Sequence, residues 1–213
     1  GIVVPANIRG GPEKASAILA SSLAEAGYRV VIFVPILPWY YYFVSLNKNP
    51  LMWLRYSLPI LRRWLRKREF AFSELLDQKN GRSRISVKFV LRYASKRQLK
   101  GLDCLYVDSI AQVYDYRHRF PQQRQIYLLW HPEEHSHGHA EKFKEIRKSF
   151  SGKIIVASPV IAKQVSDHIA NPPLVPAPIS LNLWEQREIF DVNASRKDIL
   201  LLWKNNQHGN VGA

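Results

Sequence analysis

The chain holds one cysteine and one methionine in 213 residues, and it is poor in acids: 17 Asp and Glu stand against 31 Lys and Arg, a formal net charge of +14. The single thiol, Cys104, excludes a disulfide framework and a cysteine-based zinc site. No apolar run approaches the ~18 residues that a bilayer-spanning helix needs. Hydrophobic residues make up 46% of the chain and charged residues 23%, which excludes disorder as its overall state. A chain of this length buries roughly 70% of its unfolded surface, so a core can form without crosslinks or metal. No repeat recurs at solenoid periods.

The positive charge is concentrated. Residues 48–100 hold 15 Lys and Arg against Glu69, Glu74 and Asp77, a net of +12, while the remainder is nearly neutral. A local field of that kind attracts a polyanionic surface, whereas a diffuse one mainly aids solubility.

The chain opens on Ile2-Val3-Val4-Pro5, a short β-branched run that reads as a buried strand. A loop through Gly10 and Gly11 follows. Ala15, Ile18, Leu19, Leu23 and Ala24 then recur at helical spacing, with Pro12 and Glu13 suited to the first turn and Gly27 to the stop. Tyr28–Val34 is a second continuous strand, ended by Pro35. Strand, glycine loop, helix and strand within ~35 residues form a βαβ unit, which implies a parallel sheet covered on both faces.

The pattern breaks over 36–83, rich in Trp, Tyr, Leu and Arg, and then resumes. Strands are expected at Ile85–Leu91, Leu102–Val107, Gln125–Trp130 and Lys153–Ala157, with helices at Ser109–Phe120, Glu141–Phe150 and after a Ser158 cap. Pro172, Pro173, Pro176 and Pro178 predict a stiff extended linker, and Asp198–Trp203 one more strand. The expected organisation is an α/β Rossmann-like domain over 1–180 with a basic aromatic insertion at 36–83, a linker at 181–197, and at 198–213 the start of a second, truncated domain. So read, the chain is a fragment.

Gly10-Gly11-Pro12-Glu13-Lys14, Leu19-Ala20, Leu23-Ala24, Gly27-Tyr28-Arg29-Val30 and Val34-Pro35 together resemble the opening of family 4 glycosyltransferases, retaining enzymes of the GT-B fold. The strand ending at His131 is similar to the family's strand that ends in a histidine near the donor diphosphate. Ile154–Ser158, with Val175-Pro176-Ala177-Pro178-Ile179 downstream, resembles the family's domain crossover. The family has Asn-Gly where Ala177-Pro178 stands, and Gly-Arg where Trp203-Lys204 stands.

The resemblance implies the acceptor-side half of a transferase. It would move a sugar from a nucleotide-sugar to a lipid-linked or cell-envelope glycan acceptor, with retention of configuration and no cofactor. In that setting His131 is the catalytic candidate, stabilising the departing diphosphate. Gly10, Gly11 and Lys14 fall to substrate binding, and Lys204 to a diphosphate contact. Most donor-binding residues, including a Glu-x7-Glu motif, would lie beyond residue 213, so this stretch alone is expected to be inactive.

The residues themselves bear on each assignment. Adjacent glycines let backbone N–H groups approach an anion at a helix N-terminus, and they equally suit a plain tight turn. A nicotinamide-binding reading lacks both G-x-G-x-x-G and an acid after the second strand, where Val34-Pro35 stands. A histidine ending a central strand lies where α/β ligands bind, and structural histidines occur there too. His131-Pro132-Glu133-Glu134-His135 matches H-x-x-E-H, yet that zinc chemistry needs both histidines on one helix face. A strand running into His131, then Pro132 and Gly138, favours a solvated loop, so no metal is expected.

Within the basic insertion, Leu51, Leu54, Leu58, Leu61 and Leu65 fall at 3–4 spacing, with Pro59 expected to kink the element or start its second half. Trp39, Tyr40, Trp53, Arg62, Arg63, Trp64, Arg66, Lys67 and Arg68 surround the stripe. This matches an interfacial helix on an anionic membrane, and places the protein in the cytoplasm, peripheral to the inner face of the plasma membrane. Two other readings compete. Nucleic acid suits basic aromatic patches but wastes the leucines, and is not expected as a partner. A core helix with a solvated basic face needs no ligand. Should the transferase reading fail, a non-catalytic basic module for anionic lipid or nucleic acid replaces it.

Overall fold

The computed structural model describes residues 1–37, 50–76, 84–129, 140–166, 169, 172–174, 203–205 and 210–212. The chain divides into two compact units, Gly1–Pro178 and Ile179–Ala213.

The first unit carries six parallel strands: β1 (Ile2–Val3), β2 (Val30–Pro35), β3 (Ile85–Val90), β4 (Leu105–Val107), β5 (Gln125–Leu129) and β6 (Lys153–Val156). Their order is β3-β2-β1-β4-β5-β6, so the chain winds outward to one edge and then restarts at the centre toward the other. The arrangement is α/β and Rossmann-like, and its switch point lies between β1 and β4.

Helices cover both faces: α1 (Gly11–Glu25), α2 (Pro50–Lys67), α3 (Lys96–Leu99), α4 (Ile110–Tyr116), α5 (Ala140–Ser149) and α6 (Pro159–Gln164). Strand side chains alternate between two cores. Ile2, Val4, Ile32 and Val34 pack with Ala17, Ala20 and Ala24 of α1 and with Phe70, Phe72 and Leu76. Val3, Phe33, Val107 and Leu129 face the other way, toward Ile110, Val113 and Tyr116 of α4 and Ile146 of α5. The small side chains of α1 let it settle close to the sheet.

The expected glycine stop after α1 forms as a Schellman motif. Gly27 adopts φ +96°, its N–H donates to the Ala24 carbonyl, and the Tyr28 N–H donates to Leu23. Tyr28 is thereby left outside the sheet, and β2 begins at Val30 rather than Tyr28. Pro35 does not end the pairing, because Ile36 and Leu37 still donate to Val90 and Leu91. Helix α4 is shorter than expected and stops at Tyr116. Beyond it the Tyr116 carbonyl accepts from the N–H groups of Arg119 and Phe120, and the buried Gln125 side chain donates to the carbonyls of Tyr116 and Phe120.

Helix α2 runs unbroken through Pro59. The expected proline-rich linker begins against the sheet, with Val156 donating to the Pro173 carbonyl at 3.0 Å and bridging Leu174 in parallel. In the second unit, β7 (Trp203–Asn205) pairs antiparallel with β8 (Asn210–Gly212). The rest of the expected strand at 198–203 lies outside the described residues.

Candidate functional site

The carboxyl ends of β1 and β4 frame the switch point, where ligands of doubly wound sheets bind. From β1 the chain passes through a buried Asn7 to the Gly10-Gly11 loop and into α1. Gly10 caps α1 with extended backbone and no side-chain partner, and its carbonyl accepts from the Lys14 N–H at 3.0 Å. The reason for glycine at position 10 is close approach: a Cβ there would collide with the Glu13 carboxylate. At Gly11 a Cβ would meet nothing within 4 Å, so the space above the loop is open.

Glu13 is 2% exposed despite its charge. Burial pushes its carboxyl up from 4.5 to about 7, against the pull of its own backbone N–H and that of Ala6. Asp108, at the end of β4, is also buried. Its Oδ2 accepts from Ser16 Oγ of α1 at 3.4 Å, and its N–H donates to Gln112 Oε1 at 2.9 Å. Burial and then the Asp108 carboxylate push the nearby Tyr106 phenol up. The edge thus joins the N-terminus of α1 with two buried carboxyl groups, Glu13 held by its own N–H and that of Ala6 and Asp108 by Ser16.

Asn7 fixes the basic insertion to this edge. Its Nδ2 donates to the Glu69 carbonyl at 3.0 Å, and its Oδ1 accepts from the Ala71 N–H at 2.8 Å. Arg9 adds an exposed ion pair with Glu74 at 2.5 Å and lies over the Phe72 ring at 5.5 Å.

Helix α2 is where sequence spacing left the choice open. Its packed side holds the buried Ser57 and Ile60, and Trp64, whose ring lies 6.1 Å from Phe89 of β3. Of the leucine stripe, Leu51, Leu54, Leu58 and Leu65 are 74%, 43%, 37% and 56% exposed, and Leu61 is half-buried. Arg55, Arg62 and Arg66 are exposed and, at 3.6 residues per turn, form the adjoining row. The helix contains no acid.

The structure therefore gathers Gly10, Gly11 and Lys14 at the β1 end, with Lys14 exposed. Arg62, Arg63, Arg66, Lys67 and Arg68 lie on or just after α2, Arg68 in a left-handed turn at φ +49°. Trp64 joins the packed side rather than the exposed stripe. Lys204 is on β7 in the second unit. His131, Trp39, Tyr40 and the side chain of Trp53 lie outside the described residues, as does the His131–His139 loop. Among the described residues no cluster of three metal-ligating side chains occurs, and no helix is long and apolar enough to cross a membrane.

Sequence reasoning passed over Asn7, Asp108 and the burial of Glu13. Asp108 had a usable signal, an acid directly after an apolar strand; the other two had none beyond position in a loop and a first turn. Compared with known proteins, the chain matches no family model, no curated protein and no solved structure.

Proposed function

We propose that this chain is the acceptor-side part of a sugar-nucleotide glycosyltransferase that works against an anionic membrane, with α2 as its membrane contact. The observation that carries the membrane half is the exposed leucine stripe of α2 beside a row of arginines. A soluble helix packed on a sheet ordinarily turns its leucines inward. Here Ser57, Ile60 and Trp64 form the packed side, and Leu54, Leu58 and Leu65 stay exposed where another apolar phase can meet them. Apolar side chains flanked by cations fit the boundary between acyl chains and anionic headgroups.

The transferase half is supported by three motifs in family order, and by the Gly10-Gly11 loop at a switch point of the kind where nucleotide ligands bind. Retaining transfer of this type asks mainly for stabilisation of the leaving diphosphate. In this reading His131 donates to it, and the loop N–H groups at α1 assist. The exposed face of α2 also favours a second reading, a non-catalytic module bound to anionic lipid.

Vesicle co-sedimentation tests the membrane half. Cations near an anionic surface contribute up to ~1 kcal/mol each. Replacing Arg62, Arg63, Arg66, Lys67 and Arg68 with Gln should then weaken binding to anionic vesicles by at least about a hundredfold, with little binding to neutral vesicles from either protein. Binding to an RNA oligomer in preference to vesicles would refute it. For the transferase half, His131→Ala in the protein carrying this chain should lower kcat for sugar transfer by about 10²–10³. If no nucleotide-sugar is turned over while vesicle binding persists, the lipid-binding module stands in its place.

A further inference from the structure

At the opposite end of the sheet from the Gly10 loop lies a second concavity of about 470 Å³. It opens where α3, the amino ends of β4 and β5, and the turn after α4 meet. Its lining carries Lys96, Arg97, Lys100, Arg119 and Arg124, and no acidic residue. The floor is apolar, built from the buried Leu99, with Leu102 and Phe120. We propose that this cleft binds a small molecule bearing a phosphate or diphosphate, at a site separate from the switch-point edge. The proposal stands independently of the transferase reading.

Two of the guanidinium groups are held in place. Arg124 donates through Nε to the Asp103 carbonyl at 2.7 Å and through a terminal nitrogen to the Leu102 carbonyl, with its charge centre 5.2 Å from the Phe120 ring. Arg119 stacks over the Tyr93 ring at 3.5 Å. A guanidinium fixed in this way loses little side-chain freedom when an oxyanion arrives. The three cations of the α3 segment are exposed, and among the described residues Lys96, Arg97 and Lys100 have no ion-pair partner.

The nearby acids offset the charge of the cleft only in part. Asp103 lies 4.0 Å from Arg124 with its side chain fully exposed, and Asp115 is engaged by Arg92 at 2.9 Å while also sensing Arg119. Like charges gathered over an apolar floor repel one another in the empty state. A multivalent anion relieves that repulsion and gains charge-assisted hydrogen bonds in the same step. Gly101, at φ +88° with nothing within 4 Å of a Cβ, leaves the mouth open between Lys100 and Leu102. The volume suits a phosphorylated ring compound, the phosphate on the cations and the ring on Phe120 and Leu99.

Titration calorimetry with inorganic pyrophosphate is the direct test, and phosphatidic-acid vesicles separate a lipid headgroup from a free phosphate. Wild-type chain should bind pyrophosphate, and Lys96→Gln/Lys100→Gln should weaken it roughly twenty-fivefold, at about fivefold for each exposed contact. A control of equal charge loss, Lys148→Gln/Lys163→Gln, should change affinity by less than about twofold. The vesicle arm is run in a Leu51→Ser/Leu54→Ser/Leu58→Ser background, in which α2 binding to anionic vesicles is removed. Loss of vesicle binding there on adding the two lysine changes assigns the phosphate to a lipid headgroup. Absence of binding to both probes, or equal weakening by the control, overturns the proposal. Neither result bears on the α2 contact, which is read in the native background.

Discussion

Replacing Glu13 with Gln should stabilise the domain at neutral pH and have almost no effect near pH 4.5. The carboxyl titrates at 4.5 when unburied and at about 7 in the fold, because burial penalises its charged form more than the N–H groups of Glu13 and Ala6 assist it. Below pH 4.5 both the folded and unfolded chains hold the proton, and this residue contributes no pH dependence. Between 4.5 and 7 the folded chain holds a proton that the unfolded chain has released. Stability therefore falls as pH rises through that window, and it levels off above pH 7.

At ~1.4 kcal/mol per tenfold, the full interval corresponds to about 3 kcal/mol. Glutamine has nearly the same shape, keeps an oxygen to accept from the Ala6 N–H, and carries no charge to desolvate. Its second amide proton needs a partner, which subtracts from the gain. A net stabilisation of about 2 kcal/mol at pH 8 remains, or roughly 4–8 °C in Tm for a domain of this size. Urea unfolding of both proteins at pH 4.5, 6, 7 and 8 and constant ionic strength isolates the effect, since every other group titrates alike in the two. A difference that stays constant across that range would falsify the assignment. So would a variant less stable than wild type at pH 8.

Gly10→Ala should cost about 1–2 kcal/mol, because the new methyl group meets the Glu13 carboxylate in a closely packed loop. In a Glu13→Ala background the same change should be close to neutral, and a double-mutant cycle showing no coupling would remove the close-approach explanation. Leu51→Ser, Leu54→Ser and Leu58→Ser together should leave Tm within about 2 °C, since these side chains are exposed, yet abolish binding to anionic vesicles. Unfolding of that triple variant would mean these side chains carry packing that the fold needs. Phe33→Ala, at a fully buried position in the middle of β2, should cost about 3–5 kcal/mol, read from urea midpoints.

Much of the fold was legible because strand and helix signals are local. Short β-branched runs such as Ile2–Val4 and the 3–4 spacing from Ala15 to Ala24 depend only on neighbours in the chain, and Gly27 marks a stop that no side chain with a Cβ adopts easily. Alternation of those signals was enough for a parallel α/β sheet. Boundaries drifted where a long-range partner decided them. Gln125 holds the turn after α4 by donating to carbonyls that precede it in the chain, and Val90 and Leu91 carry β2 pairing past Pro35.

The site was legible in outline only. Gly10 and Gly11 announce a tight strand-to-helix turn, but the burial of Glu13 depends on the Gly10 backbone closing over it, and spacing says nothing of that. Helix α2 shows the limit most clearly. Its sequence carries a leucine stripe that suits an anionic membrane boundary and equally suits a core, and spacing alone does not choose between them. In the fold Ser57, Ile60 and Trp64 take the packed side, Trp64 against Phe89 of β3, and Leu51, Leu54, Leu58 and Leu65 are left exposed. The basic cleft was equally out of reach, because Lys96 and Arg124 are far apart in the chain and meet only where the strand ends converge. Composition and periodicity settle what each segment becomes; which faces meet, and which charges are left together, is a property of the packed sheet.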